Sequence, residues 1–313
     1  MQILVTGGAG YIGSTLAPLL LSRGHRVTVF DSLERGDASL RACAPEPGFR
    51  LVQGDVRDAD ALREAARAAE AVVHLAAVSG YPACARDPVT ASEVNVRGTA
   101  RVMEAVGRSV PVVLASTVSC YGAVPEGLCD ERTPARPVSH YGRTKLEAEA
   151  LVLASPMGIA LRLATAYGLS PRLRLDLLVN SFVHALARGE PLEVYEPEAR
   201  RALVHVLDAA RAFLFFLERA PRLAGRLFNV GDESQNLSKR ELAERIRRRF
   251  PAARVDYAAE GRDEDQRDYG VSFARIRGEG YRTRVSLEQG IDELVREFLG
   301  PGSSQVQCAR VPG

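Results

Sequence analysis

Short apolar runs alternate with amphipathic stretches through the first half of the chain. Residues 3–5, 26–30, 50–52, 71–73, 111–115 and 159–163 read as strands, apolar enough to be covered on both faces. Between them, residues 11–23, 60–69, 89–106 and 141–154 carry helical spacing. Buried strands separated by helices need right-handed crossovers, so the pattern predicts an α/β fold, a doubly wound parallel sheet of the Rossmann type. After Gly168 the rhythm changes. Residues 170–202 carry Pro171, Pro191 and Pro197 among many charges, and 208–219 and 238–250 read as helices. The expected organisation is a Rossmann domain over 1–168 and a smaller C-terminal substrate-binding lobe over 169–299, whose chain crosses back at least once. A tail over 300–313 has no periodicity and reads as flexible.

Composition narrows the class. Hydrophobic residues make up 46% and charged residues 26% of 313, the balance of an ordinary globule. The net charge of +2, from 41 basic and 39 acidic residues, argues against a nucleic-acid footprint, which needs a strongly basic face. No apolar run approaches membrane-spanning length, and residues 2–6 already read as strand, leaving no room for a cleavable signal. A cytoplasmic location and no membrane partner are expected. The cysteines (Cys43, Cys84, Cys120, Cys129, Cys308) are odd in number and scattered, so neither a disulfide framework nor a metal site is expected.

The segment TGGAGYIG places Gly7, Gly10 and Gly13, with Tyr11 and Ile12, between the first strand and the first helix. Such a turn brings backbone close to a pyrophosphate and aims a helix N-terminus at it. Asp31 ends the second strand, where a carboxylate accepts hydrogen bonds from ribose hydroxyls and repels a 2′-phosphate. Ser32 follows it instead of a basic residue, which favours NAD over NADP. The plainer reading of Asp31 is a solvated loop acid. Asp55 and Val56 stand where an acid meets the adenine amino group. Leu75, Ala76 and Ala77 are small or apolar residues past the fourth strand, and Asn95 lies on the next helix. His74 reads better as a core histidine than as a ligand.

Tyr141 and Lys145 open a helix four residues apart, so they share one face. A phenol with a pKa of about 10 is a poor base at neutral pH, and a nearby ammonium favours its anion. Only two of the 41 basic residues, Lys145 and Lys239, are lysine, which suggests that arginine cannot serve at 145. The plainer reading is a surface tyrosine with a lysine one turn on. Position argues otherwise, because the pair follows the strand 111–115 and its exit STVSCYG, where a hydroxyl would sit at the carboxyl edge of the sheet.

TGGAGYIG, Asp31, GDV, HLAA, NVRGT, a hydroxyl four residues before a Tyr-Gly pair, and YGRTK together resemble the extended short-chain dehydrogenase/reductase family, over residues 2 to about 299. Nucleotide-diphosphate-sugar epimerases and dehydratases are its best-known members. The resemblance implies that Thr117, Tyr141 and Lys145 form the catalytic set and that NAD is the cofactor. It also implies sugar-nucleotide contacts from Arg201, four residues before His205, and from Arg267, since guanidinium forks suit phosphate oxygens. In a chain this rich in arginine, any single one is more often a solvated charge. The stretches ATAYGLSPRLRLDLLVNSF and DEDQRDYGVS look like a narrower branch acting on nucleotide-linked heptoses, including 4-dehydrogenases, and on sugar 4-epimerases. There Arg174 and Asn180 are candidate substrate contacts.

The expected activity is an NAD-dependent nucleotide-diphosphate-sugar 4-epimerase working through a 4-keto intermediate. The alternatives are a 4-dehydrogenase that releases the ketone and a non-catalytic NAD-binding relative. A 4,6-dehydratase needs an acid and a base, which that branch places directly after the threonine; Val118 and Ser119 stand there instead. Cys120 reads as a packing residue. Alanine and leucine stripes on 89–106 and 141–154 match the helices that family members pair into a four-helix contact, so a homodimer is expected.

Overall fold

Strands buried on both faces need helices on both faces, and the chain supplies them in turn. A computed structural model describes residues 1–122, 124, 127–258 and 268–300. In chain order its elements begin with β1 (Gln2–Thr6), α1 (Gly13–Ser22), β2 (Arg26–Asp31), β3 (Phe49–Gln53), α2 (Ala59–Ala66), β4 (Ala71–His74), α3 (Tyr81–Arg86), α4 (Pro88–Ser92) and α5 (Gly98–Val106). There follow β5 (Val112–Thr117), β6 (Leu128–Cys129), α6 (His140–Leu153), β7 (Gly158–Leu163) and β8 (Thr165–Tyr167). Next come α7 (Leu178–Ala187), β9 (Leu192–Tyr195), β10 (Arg200–His205), α8 (Val206–Leu217), α9 (Ala220–Leu223) and β11 (Arg226–Val230). The last are β12 (Asn236–Ser238), α10 (Lys239–Arg247), β13 (Val255–Ala258), β14 (Gly270–Val271), α11 (Ala274–Gly278) and α12 (Leu287–Leu299).

The main sheet has seven parallel strands in the order β11-β7-β5-β4-β1-β2-β3. Chain order reverses between β1 and β4, the switch point where open α/β sheets bind ligands at their carboxyl edge. One face packs Leu16, Leu20 and Phe213 against Val5, Val29 and Phe228. The other packs Leu62, Val102, Ala148 and Val152 against Leu4, Val72 and Leu114. A separate core around Phe182, Leu203, Ile246 and Ile291 fills the second lobe. There β12-β10-β8 form a three-stranded sheet, and β13 pairs with β9. No helix among the described residues is long and apolar enough to cross a membrane.

Three expectations need correction. The helix read over 11–23 starts only at Gly13, because the glycine turn uses Tyr11 and Ile12. The helix read over 89–106 is interrupted by a π-helical turn, Glu93–Arg97, between α4 and α5. Helical spacing in sequence does not register one extra residue in a turn. The strand read over 111–115 runs instead from Val112 to Thr117, so Thr117 is its last residue and not part of its exit. Strand β11 pairs with β7 and completes the main sheet. Of the expected flexible tail all but Gly300 lies outside the described residues, as does Arg267.

Candidate active site

The glycine turn leaves β1 with Gly7 at φ +71°, and a Cβ there would lie 2.5 Å from the Ala76 amide nitrogen. A Cβ on Gly13 would come within 2.5 Å of Gly8 Cα, so α1 starts hard against the turn. The result is a cradle of bare backbone at a helix N-terminus, whose dipole favours an anion, although Ser14 N–H already donates to Gly10 O at 2.9 Å. Asp31 braces it from the end of β2: Oδ2 accepts from Ala9 N–H and Oδ1 from Leu33 N–H, each at 2.9 Å. A carboxylate has about four lone-pair sites, so acceptor capacity remains for ribose hydroxyls. These residues therefore fit a dinucleotide.

Around the cradle, Ile12, Ser32, Leu75, Ala76 and Ala77 are half-buried and Val56 is buried. Asp55 is held bidentately by Arg57, whose guanidinium keeps the carboxyl below its ordinary range. Asn95, in the π turn, is buried; it accepts from Val78 N–H at 2.8 Å and donates to Val78 O and Thr144 Oγ1, both at 3.0 Å. It thus ties the loop after β4 to α6. His74 is enclosed between Thr6 Oγ1 at 2.6 Å and Thr99 Oγ1 at 2.9 Å, a satisfied core residue. Burial, aided by the Lys145 charge, pushes it down to about 3.

At the carboxyl end of β5, Thr117 is buried; its Oγ1 donates to Ser119 Oγ at 2.9 Å and accepts from Ser119 N–H at 3.1 Å. Helix α6 starts beside it. Ser139 caps the helix by accepting from Gly142 N–H at 3.1 Å. Gly142 is needed for the approach, because a Cβ there would meet Pro137 Cβ at 2.8 Å and Ser119 O at 3.0 Å. That places half-buried Tyr141 and buried Lys145 next to the β5 exit. Burial brings the Lys145 ammonium down to about 8, against the pull of Cys120, Glu149 and Cys84. Cys120 contacts Gly142 O and Ser116 Oγ, and burial pushes its thiol up to about 12, so it stays protonated.

The segment after β8 reaches across from the second lobe. Tyr11 OH donates to Gly168 O at 2.7 Å, and Ser170 Oγ donates to Tyr11 O at 2.6 Å. Arg174 Nη1 donates to Ser79 Oγ at 2.7 Å while the guanidinium pairs with Asp176. Burial alone would lower the Arg174 pKa; the pairing with Asp176 and the nearby phenols of Tyr141 and Tyr11 more than offset it. Asn180 is fully buried and its amide is used within the protein: Oδ1 accepts from Gly168 N–H at 2.9 Å and Nδ2 donates to Arg174 O at 2.9 Å. It positions this segment. Arg201 is buried on β10, with Nη1 donating to Arg200 O at 2.9 Å.

Sequence reasoning missed Ser79, Ser170 and Asp176, which have no motif, and the buried trio Ser116, Glu149 and Arg162. For the trio a signal existed: Arg162 interrupts the otherwise apolar run IALRL, and Glu149 follows Lys145 by one helical turn.

Comparison with known proteins gives a consistent picture. Residues 3–231 match the model of the NAD dependent epimerase/dehydratase family. A dTDP-glucose 4,6-dehydratase of Streptomyces niveus is 31% identical over 320 residues, covering 95% of this chain and 93% of that one. A UDP-glucose 4-epimerase of Streptomyces lividans is 31% identical over 269 residues, covering 79% and 80%. The crystal structure of a Thermus thermophilus UDP-glucose 4-epimerase in complex with NAD superposes with a TM-score of 0.81 at 29% identity, covering 96% of this chain and all of that one.

Proposed function

This chain belongs to the NAD dependent epimerase/dehydratase family, and on that premise we propose that it is a nucleotide-diphosphate-sugar 4-epimerase. NAD is the cofactor; held by the Gly7–Gly13 turn and Asp31, it would supply a reversible hydride acceptor for the reacting carbon. Tyr141, as phenolate, takes the proton from the hydroxyl on sugar carbon 4. Lys145 holds the phenolate in its charged form, and Thr117 fixes the hydroxyl oxygen by hydrogen bonding. Once the 4-keto sugar has turned over and carbon 4 has regained the hydride on its other face, Tyr141 returns the proton to the carbon-4 oxygen. Asp31 holds the adenosine ribose, and the turn from Gly7 to Gly13 carries the pyrophosphate. Arg174, Arg201 and Arg267 are proposed as contacts to the sugar nucleotide.

The observation that carries this reading is the exit from β5, where Thr117 is followed by buried Val118 and Ser119. Elimination of water needs an acid and a base beside the reacting carbons, and neither side chain can serve at neutral pH. The adjacent carboxylate, Glu149, is taken up by Arg162. The ties from Gly168 and Ser170 to Tyr11, and from Arg174 to Ser79, support cofactor retention, which suits a reaction without net oxidation. A dehydratase is the second reading, favoured by the Streptomyces niveus relative that aligns with 95% of the chain.

Purified protein incubated with a panel of nucleotide sugars and heptoses decides among these. An epimer of unchanged mass without net NADH is expected. Loss of one water assigns a dehydratase, stoichiometric NADH and ketone a dehydrogenase, and absence of both turnover and bound dinucleotide refutes an enzyme. Tyr141→Phe should keep bound NAD while turnover falls about a hundredfold or more; unchanged turnover removes the tyrosine from its role. A homodimer through α4–α5 and α6 is part of the proposal, since Val89 (72%), Val138 (44%) and Leu151 (36%) remain exposed on or next to these helices.

A further inference from the structure

We propose that Glu149, together with Arg162 and Ser116, is a positioning residue that fixes the Tyr141–Lys145 face of α6 against the Thr117 end of β5. The inference rests on the tyrosine–lysine chemistry proposed above. Glu149 lies on α6 one turn beyond Lys145 and is 2% exposed. Its Oε1 accepts from Arg162 Nε at 2.9 Å and from Ser116 Oγ, and its Oε2 accepts from Arg162 Nη2 at 2.7 Å. Arg162, on β7, is opposite Ser116 in the parallel register of β5. A single carboxylate therefore joins three elements, and its partner on β5 is the residue immediately before Thr117. Behind it, the Arg162 guanidinium lies over the Tyr121 ring at 4.6 Å, and Tyr121 OH donates to Asn229 Oδ1 at 2.7 Å on β11. The anchor thus reaches the rigid middle and far edge of the sheet.

Energy makes a role in mere stability a poor account. Taking both charges out of water costs several kcal/mol per ion, and apolar replacements of similar volume are often neutral or stabilising. What an ion pair with a bidentate fork adds is direction, because two parallel N–H···O bonds must align at once. Two catalytic pieces on different elements need that direction, since a misplacement of about 1 Å costs on the order of a hundredfold in rate.

The charge of Glu149 matters as well as its reach. Groups that face Lys145 are His74 from β4, Cys84 from α3, Cys120 from the loop after β5, and Tyr141 and Glu149 from its own helix, with Arg162 of β7 behind Glu149. His74 is neutral and burial pushes both thiols up, so Glu149, paired with Arg162, is the carboxylate among these neighbours. That charge opposes the burial-driven loss of the Lys145 proton.

Two variants test the proposal, each compared with wild type on the nucleotide sugar that the panel identifies. Ser116→Ala unhooks β5 and leaves the ion pair. Glu149→Leu/Arg162→Met replaces the pair by packed apolar groups. The double variant should keep a melting temperature at or above wild type and retain NAD, yet lose about tenfold or more in kcat with KM within about twofold. The alkaline limb of its kcat profile should move to lower pH, because Lys145 gives up its proton more readily. Ser116→Ala should lower kcat about three- to tenfold. A folded double variant with wild-type kcat and pH profile overturns the proposal; if that variant does not fold, wild-type kcat in Ser116→Ala overturns it. Failure of the wild-type protein to turn over any nucleotide sugar counts against the proposed function instead.

Discussion

His74 shows how a single side chain can bias stability without touching a ligand. With both ring nitrogens bonded to threonine hydroxyls, it takes up a proton in the folded protein only near pH 3, whereas an unfolded histidine does so near 6.5. Between those values the unfolded chain binds the extra proton, so stability falls as pH falls, by about 1.4 kcal/mol per unit. Urea unfolding at pH 7 and pH 5 should show wild type losing about 2 kcal/mol more than His74→Asn over that interval. Equal losses would mean that the ring is protonated in the fold. At this scale the sequence was a fair guide where local spacing set the environment. The core role of His74 and the shared face of Tyr141 and Lys145 on α6 were legible from local spacing. The internal bonds of the Asn180 amide to Gly168 and Arg174 were not legible, because burial by other segments leaves no mark in local sequence.

Among elements, the strand–turn–helix unit carries the most rigid requirement. Gly13→Ala places a methyl 2.5 Å from Gly8 Cα and 2.7 Å from Gly7 O, both backbone and unable to yield cheaply. It should cost about 1–3 kcal/mol of stability and weaken NAD binding at least tenfold by titration. Gly278→Ala, in helix α11 with nothing within 4 Å of its Cβ, is the control and should leave NAD binding unchanged and stability equal or slightly raised. Parallel strands and their helices were readable because apolar runs of the right length permit few alternatives. The π turn was not, since one added residue preserves the overall apolar stripe. Nor were β8, β10 and β12, whose pairing brings together residues 165, 203 and 236–238 across long sequence separations.

For the whole molecule, the exposed Val89, Val138 and Leu151 and the expected pairing of helices make solution mass the relevant measurement. Sedimentation should give twice the chain mass of 33.9 kDa, and Leu151→Glu should shift it towards the monomer. A monomeric wild type removes the dimer from the proposed function. The arrangement of the sheet has a further consequence for biogenesis. Strand β7 is bordered on its outer side by β11, which emerges from the ribosome more than sixty residues later. In the interval β7 presents a row of unpaired backbone groups, the kind of edge that recruits neighbouring chains. A chain stopped before residue 226 lacks the strand that covers this edge and should aggregate more readily than the full chain.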